Sequence, residues 1–107
     1  MDAARIRRES MRWYIILALN NARPSELVEH IVQSTMRELF PDTTPMEVRR
    51  ALDYLASRDL INVRKVATGI WWASLTRHGV DLAEYSIDCE PGIARPEKYW
   101  GGYHGET

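Results

Sequence analysis

The stretch "TTPMEVRRALDYLASRDLI" (Thr43 to Ile61) decides the fold, because it begins like a capped helix and ends like the start of a strand. Thr44 is placed to act as the N-cap, Pro45 suits the first helical position, and Glu47 stands where a capping box has its acid. The apolar positions Val48, Ala51, Leu52 and Leu55 recur at the helical period. The stretch therefore predicts a helix that leads directly into a strand.

Two short strands follow this helix. The segment "LINVRKV" (Leu60 to Val66) alternates and is rich in β-branched residues, "ATG" (67–69) contains a glycine suited to a turn, and "IWWASL" (Ile70 to Leu75) forms a second strand. Neighbouring side chains of a strand point to opposite faces, so Trp71 and Trp72 cannot both enter the core. The segments predict one hairpin with a tryptophan on each face.

The remaining elements extend to both sides. Upstream, the pattern predicts a first helix over about Ala3 to Ala22, apolar nearly all round in its second half, and a second helix over about Ser25 to Phe40, capped by its first residue. Downstream, Thr76 of "LTRHG" caps a short helix. Residues 86–107 are rich in Pro, Gly and isolated aromatics, which predicts an extended arm with a disordered end.

The predicted fold is mainly α with a small β-hairpin (α+β), in the order α-α-α-β-β-α, with a domain over 1–85 and a C-terminal arm over 86–107. This order resembles the winged helix-turn-helix domain. "TPMEVRRALDYLASRDLINV" and "LTRHG" are similar to the recognition helix, first wing strand and closing L-T-x-x-G of bacterial repressors of the MarR, PadR and ArsR kinds.

A second, narrower resemblance covers most of the chain. The segments "RWYIILALNNARP", "RRALDYL", "LTRHGVDLAEY" and "DCEPGIARPEKYW" are similar to a small uncharacterised family of Mu-like transposable phages and prophages. The resemblance implies a phage-encoded winged helix. That family offers no catalytic or ligand residues to carry over.

The charge distribution is compatible with nucleic-acid contact without requiring it. The net charge of the 107 residues is −1. Residues 1–78 hold twelve Lys/Arg and nine Asp/Glu, a net of +3, and residues 79–107 hold two Lys/Arg and six Asp/Glu, a net of −4. A mildly basic body with an acidic tail could meet DNA through the body.

The winged-helix resemblance implies a set of DNA-contacting residues. The helix beginning at Thr44 would lie in a major groove, with its outward residues at base edges. The candidates on and before this helix are Thr43, Thr44, Met46, Glu47, Arg49, Arg50 and Asp53. Those on the hairpin, for the DNA backbone or minor groove, are Arg64, Lys65 and Thr68. Phosphate contacts could also come from the early cluster Arg5, Arg7, Arg8 and Arg12.

The alternative is that these charged side chains have no ligand and only form the solvent-exposed faces of their helices. Asp53 could then form an ion pair within its own helix, with Arg49 or Arg50. The early arginine cluster would likewise be the solvated start of the first helix.

The surplus of aromatic residues predicts a homodimer. Four Trp and five Tyr are many for this length, and contiguous apolar surface usually has a partner. The candidate interface comprises Trp13, Tyr14, Leu17, Trp72 and Trp100. The alternative is that Tyr99 and Trp100 fold back on their own domain.

No catalytic or metal-binding pattern is present in the sequence. His30, His78, His104 and Cys89 lack the close spacing of a zinc site, so we expect no metal and no cofactor. Asp88 and Glu90 flank Cys89 and are expected to raise the pKa of its thiol, which makes a poor nucleophile. The sequence indicates a protein that is not an enzyme.

The sequence also predicts a cytoplasmic protein. A single cysteine fits a reducing compartment, the N-terminus lacks a secretion signal, and the longest apolar run is too short to cross a membrane.

Three functional hypotheses follow. The first is a dimeric regulator of transcription that binds double-stranded DNA and is encoded by a phage or prophage. The second is a protein–protein interaction module in phage DNA packaging or particle assembly, with a phage protein as its partner. The third is a repressor that senses a small molecule at its dimer interface, although the sequence contains no group of polar residues that indicates which ligand this would be.

Overall fold

The computed structural model describes residues 2–98, which form four helices and three short antiparallel strands. In chain order these are α1 (Ala3–Ala22), β1 (Leu27–Val28), α2 (Glu29–Arg37), α3 (Pro45–Ser57), β2 (Ile61–Lys65), β3 (Trp71–Leu75) and α4 (Arg77–Ala83). The predicted α+β class, mainly helical with a small hairpin, is confirmed. The predicted order of elements needs one correction, because β1 lies between α1 and α2.

The helix predicted from Ser25 is wrong at its start. It begins only at Glu29, and the two residues before it form a strand instead. In that strand Leu27 pairs with Ala73 of β3, so β3 becomes the centre of a sheet with the order β1-β3-β2. A two-residue strand whose partner lies far along the chain leaves no local pattern that sequence reasoning could detect.

Helix α1 occupies the middle of the fold. It contacts α2, α3, α4 and β3, which explains why its second half is apolar nearly all round. Its fully buried side chains are Met11, Ile15, Ile16 and Leu19. Around them pack Val48, Leu52 and Leu55 of α3 and Ala73 of the central strand.

Trp13 belongs to this core, which corrects its assignment to a dimer interface. Only 5% of its surface is exposed, and its ring meets that of Tyr85 edge-to-face with centroids 6.0 Å apart. The apolar side chains of α1 are therefore buried by the chain itself, because four other elements pack around the helix.

The segment "LTRHG" joins the hairpin to α4 and to the end of α3. Thr76 caps α4 as predicted, with its hydroxyl accepting a hydrogen bond from the backbone N–H of Gly79 at 3.0 Å. The same hydroxyl donates to the carbonyl oxygen of Asp59 at 2.6 Å. At the other end of the hairpin, Gly69 takes the left-handed φ of 89° that its turn requires.

Residues 86–98 contain no helix or strand and lie against the body. The backbone N–H of Ala94 donates to the carbonyl oxygen of Glu9 at 3.1 Å, and Arg12 Nη1 donates to that of Gly92 at 2.8 Å. Ile93 between them is buried. The rest of the predicted arm, with Tyr99 and Trp100, lies outside the described residues.

Candidate nucleic-acid interface

One face of α3 is open to solvent along its length. Met46, Arg50, Asp53 and Ser57 are exposed and are spaced three or four residues apart, on the side away from the buried apolar positions. We call these four residues the α3 stripe. Ser57 was missing from the sequence-based candidates, although its spacing from Asp53 places it on the same face.

Thr43 is not part of this surface, which corrects its place among the DNA-contacting candidates. It is 1% exposed, and its hydroxyl donates to the carbonyl oxygen of Phe40 at 2.6 Å. Its own carbonyl oxygen accepts from Gln33 Nε2 at 3.0 Å. Thr43 therefore stabilises the turn between α2 and α3. Thr44 is exposed and caps α3, accepting at 3.1 Å from the backbone N–H of Glu47.

Glu47 is bound by Arg7 of α1, and its side chain is only 25% exposed. Arg7 Nε and Nη2 donate to its two carboxylate oxygens at 2.7 and 3.0 Å. Arg7 also contacts Asp42 at 2.9 Å, and these acids raise the pKa of Arg7. The predicted capping box is thus only half formed, because the carboxylate of Glu47 joins α3 to α1. Because both of its carboxylate oxygens accept hydrogen bonds from Arg7, Glu47 is not available to contact DNA bases.

Arg49 fastens α3 to α2 and to the hairpin. Its guanidinium donates to both carboxylate oxygens of Glu29 at 2.6 and 2.7 Å and to the carbonyl oxygen of Gly69 at 2.6 Å. It also lies over the ring of Trp71, 4.5 Å from the centroid. The alternative interpretation allows an ion pair of Asp53 with Arg49 or Arg50 within α3. Arg49 instead pairs with Glu29 of α2, which local spacing could not predict.

The Glu29 carboxylate accepts hydrogen bonds from Arg49 and from the backbone N–H of Trp71, so the contact between α2 and the hairpin should weaken when this carboxylate is protonated. Its pKa lies below the ordinary value of 4.5, chiefly because Arg49 donates to the carboxylate, with a further contribution from the backbone N–H of Trp71. A lowered folded-state pKa means that the stabilisation is complete above pH 4.5 and is lost as pH falls through the folded value.

We therefore expect Glu29→Gln to lower the free energy of unfolding most at neutral pH. The difference from the wild type should shrink as the pH falls below 4.5. Urea unfolding across this range measures it. Glu38→Gln, at an exposed site that ends the same helix, is the matched control and should leave the neutral-pH curve unchanged. Parallel pH profiles for wild type and Glu29→Gln would contradict the assignment.

The hairpin candidates differ in their availability. Arg64 is paired with Glu26 at 2.7 Å. Lys65 is exposed, with Nζ 3.9 Å from the nearest carboxylate oxygen of Asp53, and Thr68 is exposed in the turn. Lys65 thus lies next to the α3 stripe in a long ion pair with Asp53, whereas Arg64 is held in a closer pair with Glu26.

A basic groove runs between α1 and the first turns of α3, with a volume of about 330 Å³. Its charged and hydroxyl-bearing lining comprises Arg7, Arg8, Arg12, Arg50, Thr44 and Glu47. The groove brings three arginines of the predicted early cluster together with one from α3. Arg5, the fourth of that cluster, instead pairs with Glu9 at 2.9 Å.

An apolar groove of about 340 Å³ lies on the opposite flank of α3, between α2 and the hairpin. Met46 and Ile70 border it and are 58% and 42% exposed. Side chains of this kind at a rim can meet either an apolar partner surface or the methyl group of thymine.

The remaining dimer candidates within residues 2–98 lie on α1 and on β3. Tyr14 is 36% exposed on α1, and Leu17 is half-buried one turn further along. Trp72 is half-buried on the other side of the sheet from Ala73, with the guanidinium of Arg64 5.5 Å from its ring centroid. Trp100 lies outside residues 2–98. The homodimer stays a prediction.

Cys89 is half-buried in the segment after α4. Burial raises the pKa of its thiol above the ordinary value, and the charge of Glu90 adds a smaller effect in the same direction. The direction matches the prediction, whereas its main cause is burial instead of the flanking acids. Burial was not visible in the sequence.

Comparison of the chain with protein-family models, with curated proteins and with solved structures finds no match. Among residues 2–98, no helix is both long and apolar enough to cross a membrane.

Proposed function

We propose that this protein is a double-stranded DNA-binding protein of the winged helix-turn-helix class, with α3 as its recognition helix and the β2–β3 hairpin as its wing. In this proposal it acts as a homodimer in transcriptional control and is encoded by a phage or prophage. The observation that carries the proposal is the exposed surface formed by the α3 stripe and the adjacent Lys65. Beside this surface, Arg49 of α3 binds the carbonyl oxygen of Gly69 and so holds the hairpin against the helix.

This surface has the form that major-groove recognition requires. A recognition helix needs an exposed face, and the α3 stripe is exposed from the first turn to the last. Arg49 ties the hairpin to α3, so helix and wing would approach a duplex as one rigid surface. Asp53 and Ser57 would face base edges, Met46 a thymine methyl, and Lys65 a phosphate beside the helix.

The net charge of this surface is small, so each positively charged side chain on it should contribute measurably to DNA binding. Arg50 and Lys65 stand against Asp53 on this surface. Each phosphate contact contributes about one unit to the slope of log K against log salt concentration. Removal of one of these cations should therefore be visible in the salt dependence even where the loss of affinity is modest.

The proposal predicts that Arg50→Ala and Lys65→Ala each weaken binding of a mixed-sequence duplex. The slope with salt should fall by about one unit for each substitution, measured by fluorescence anisotropy over a salt series. Arg77→Ala is the matched control, because Arg77 is an exposed arginine on α4, outside α3 and the hairpin. Unchanged salt slopes for both test variants, or no duplex binding by the wild type at low salt, would refute the proposal.

A second candidate function is a protein–protein module of a phage particle or its DNA-packaging machinery. It is favoured by Met46 and Ile70, which expose apolar side chains beside the apolar groove at one flank of the same surface. This function predicts a partner of fixed stoichiometry, measured by light scattering on the purified complex. Ile70→Ser should abolish the complex and Arg50→Ala should preserve it; the reverse pattern would exclude this function.

A further inference from the structure

The basic groove contains more positive charge than the residues around it neutralise. Arg7 is paired with both Glu47 and Asp42, so its charge is compensated. Among residues 2–98, the side chains of Arg8 and Arg50 make no ion pair or hydrogen bond. Arg12 donates to a carbonyl oxygen only.

Arg12 is held in a fixed position inside the groove. Its guanidinium stacks on the ring of Tyr54, 3.5 Å from the centroid, while Nη1 donates to the carbonyl oxygen of Gly92 at 2.8 Å. Burial lowers the pKa of Arg12, and the charge of nearby Arg8 acts in the same direction. The cost of holding these like charges together would be relieved by an anion between them.

We propose that the basic groove is a binding site for one phosphate group, held by Arg8, Arg12 and Arg50. The hydroxyl of Thr44, which lines the same groove, accepts from the backbone and still has its own proton to donate.

The chemistry of the groove favours phosphate over a carboxylate. Guanidinium groups present planar forks of donors, and several of them can surround a tetrahedral anion whose oxygens point in different directions. A carboxylate offers two oxygens in one plane and a single charge, which would leave part of this donor set without a partner. The volume of about 330 Å³ also leaves room beside the phosphate for the group that carries it.

The phosphate could belong to either of two sources. One is the DNA backbone next to the α3 stripe, and for this source the inference rests on the proposed function. The other is a small phosphorylated molecule, for which the groove would be an effector site. Both sources share the phosphate chemistry, and their binding can be measured separately.

The test compares the wild type with Arg8→Gln and with the Arg8→Gln/Arg50→Gln double variant. Arg8 lies on α1, outside the α3 stripe, so its substitution leaves the proposed base-contacting residues intact. Binding of inorganic phosphate and of AMP is followed by calorimetry, and binding of a mixed-sequence duplex by anisotropy. Each arginine removed should weaken binding roughly tenfold, as expected for a charge-assisted hydrogen bond. Arg77→Gln is the matched control and circular dichroism checks the fold.

The outcomes separate the site from the function. Loss of phosphate and AMP binding in the variants, with no duplex binding by the wild type, supports an effector site and refutes the proposed function. Weaker duplex binding by the variants with a reduced salt slope, without measurable AMP binding, supports the backbone source. An Arg8→Gln variant that binds AMP, phosphate and duplex as the wild type does would overturn the inference while leaving the proposed function intact. A wild type that binds none of these ligands would overturn both.

Discussion

Replacing Gly79 with alanine is expected to destabilise the fold by about 3 kcal/mol, because the new methyl group has no space. A Cβ built at Gly79 collides with the backbone carbonyl oxygen of Leu60 and approaches Leu75 Cδ2 at 3.0 Å. The carbonyl cannot move away freely, since it accepts a hydrogen bond from the backbone N–H of Thr76 at 3.1 Å. Relief of the clash would require separating α4 from the end of α3.

The measurement is urea unfolding of Gly79→Ala beside a neighbouring control. His78→Ala is suitable, because His78 is exposed on the same helix and alanine is the better helix former. The control should unfold within about 0.5 kcal/mol of the wild type. A similarly small change for Gly79→Ala would show that the packing of α4 against Leu60 is wrong. The clash gives the "LTRHG" segment a physical meaning: its threonine caps α4, and its glycine allows the helix to approach β2.

The parts of the fold that could be predicted from the sequence depend on local signals. Thr44 and Pro45 begin α3 as expected, since a cap and its helix are neighbours in the chain. Gly69 takes the turn conformation for which a glycine is needed. The apolar period of α3 also names its buried side correctly, and with it most of the α3 stripe.

The parts that could not be predicted depend on partners distant in the chain. The pattern of α3 predicts that Arg49 faces a ligand or a helical neighbour, whereas in the structure Glu29 and Gly69 bind it from two other elements. Glu47 is bound across the fold by Arg7. Charge and spacing indicate that such residues are exposed on a helix face, but only the tertiary structure determines which of them are paired. The basic groove emerges in the same way, from arginines of α1 and α3 that no linear motif connects.

Replacing Trp13 with alanine is expected to cost about 3–5 kcal/mol of folding free energy, which is a large part of the stability of a small domain. The substitution removes a buried indole and, with it, the edge-to-face contact with Tyr85. Trp13→Phe, which keeps an aromatic ring facing Tyr85, should recover much of this loss. Urea unfolding of the three proteins measures the difference.

The matched control is the next residue along α1, Tyr14, which is partly exposed. Tyr14→Ala should leave the stability of the monomer within about 1 kcal/mol of the wild type. If α1 contributes to a homodimer through its outer face, this variant should instead weaken self-association, measured by sedimentation.

Protein concentration distinguishes these two effects. Loss of a core side chain lowers stability by the same amount at every concentration, whereas loss of an interface side chain acts through mass action, so that the difference in midpoint from the wild type changes with concentration. The structure places Trp13 among core residues, so the destabilisation of Trp13→Ala should be independent of concentration. A Trp13→Ala protein that stays folded and merely dissociates would instead restore this residue to a dimer interface. The aromatic surplus of the chain would then again require a second subunit to cover it.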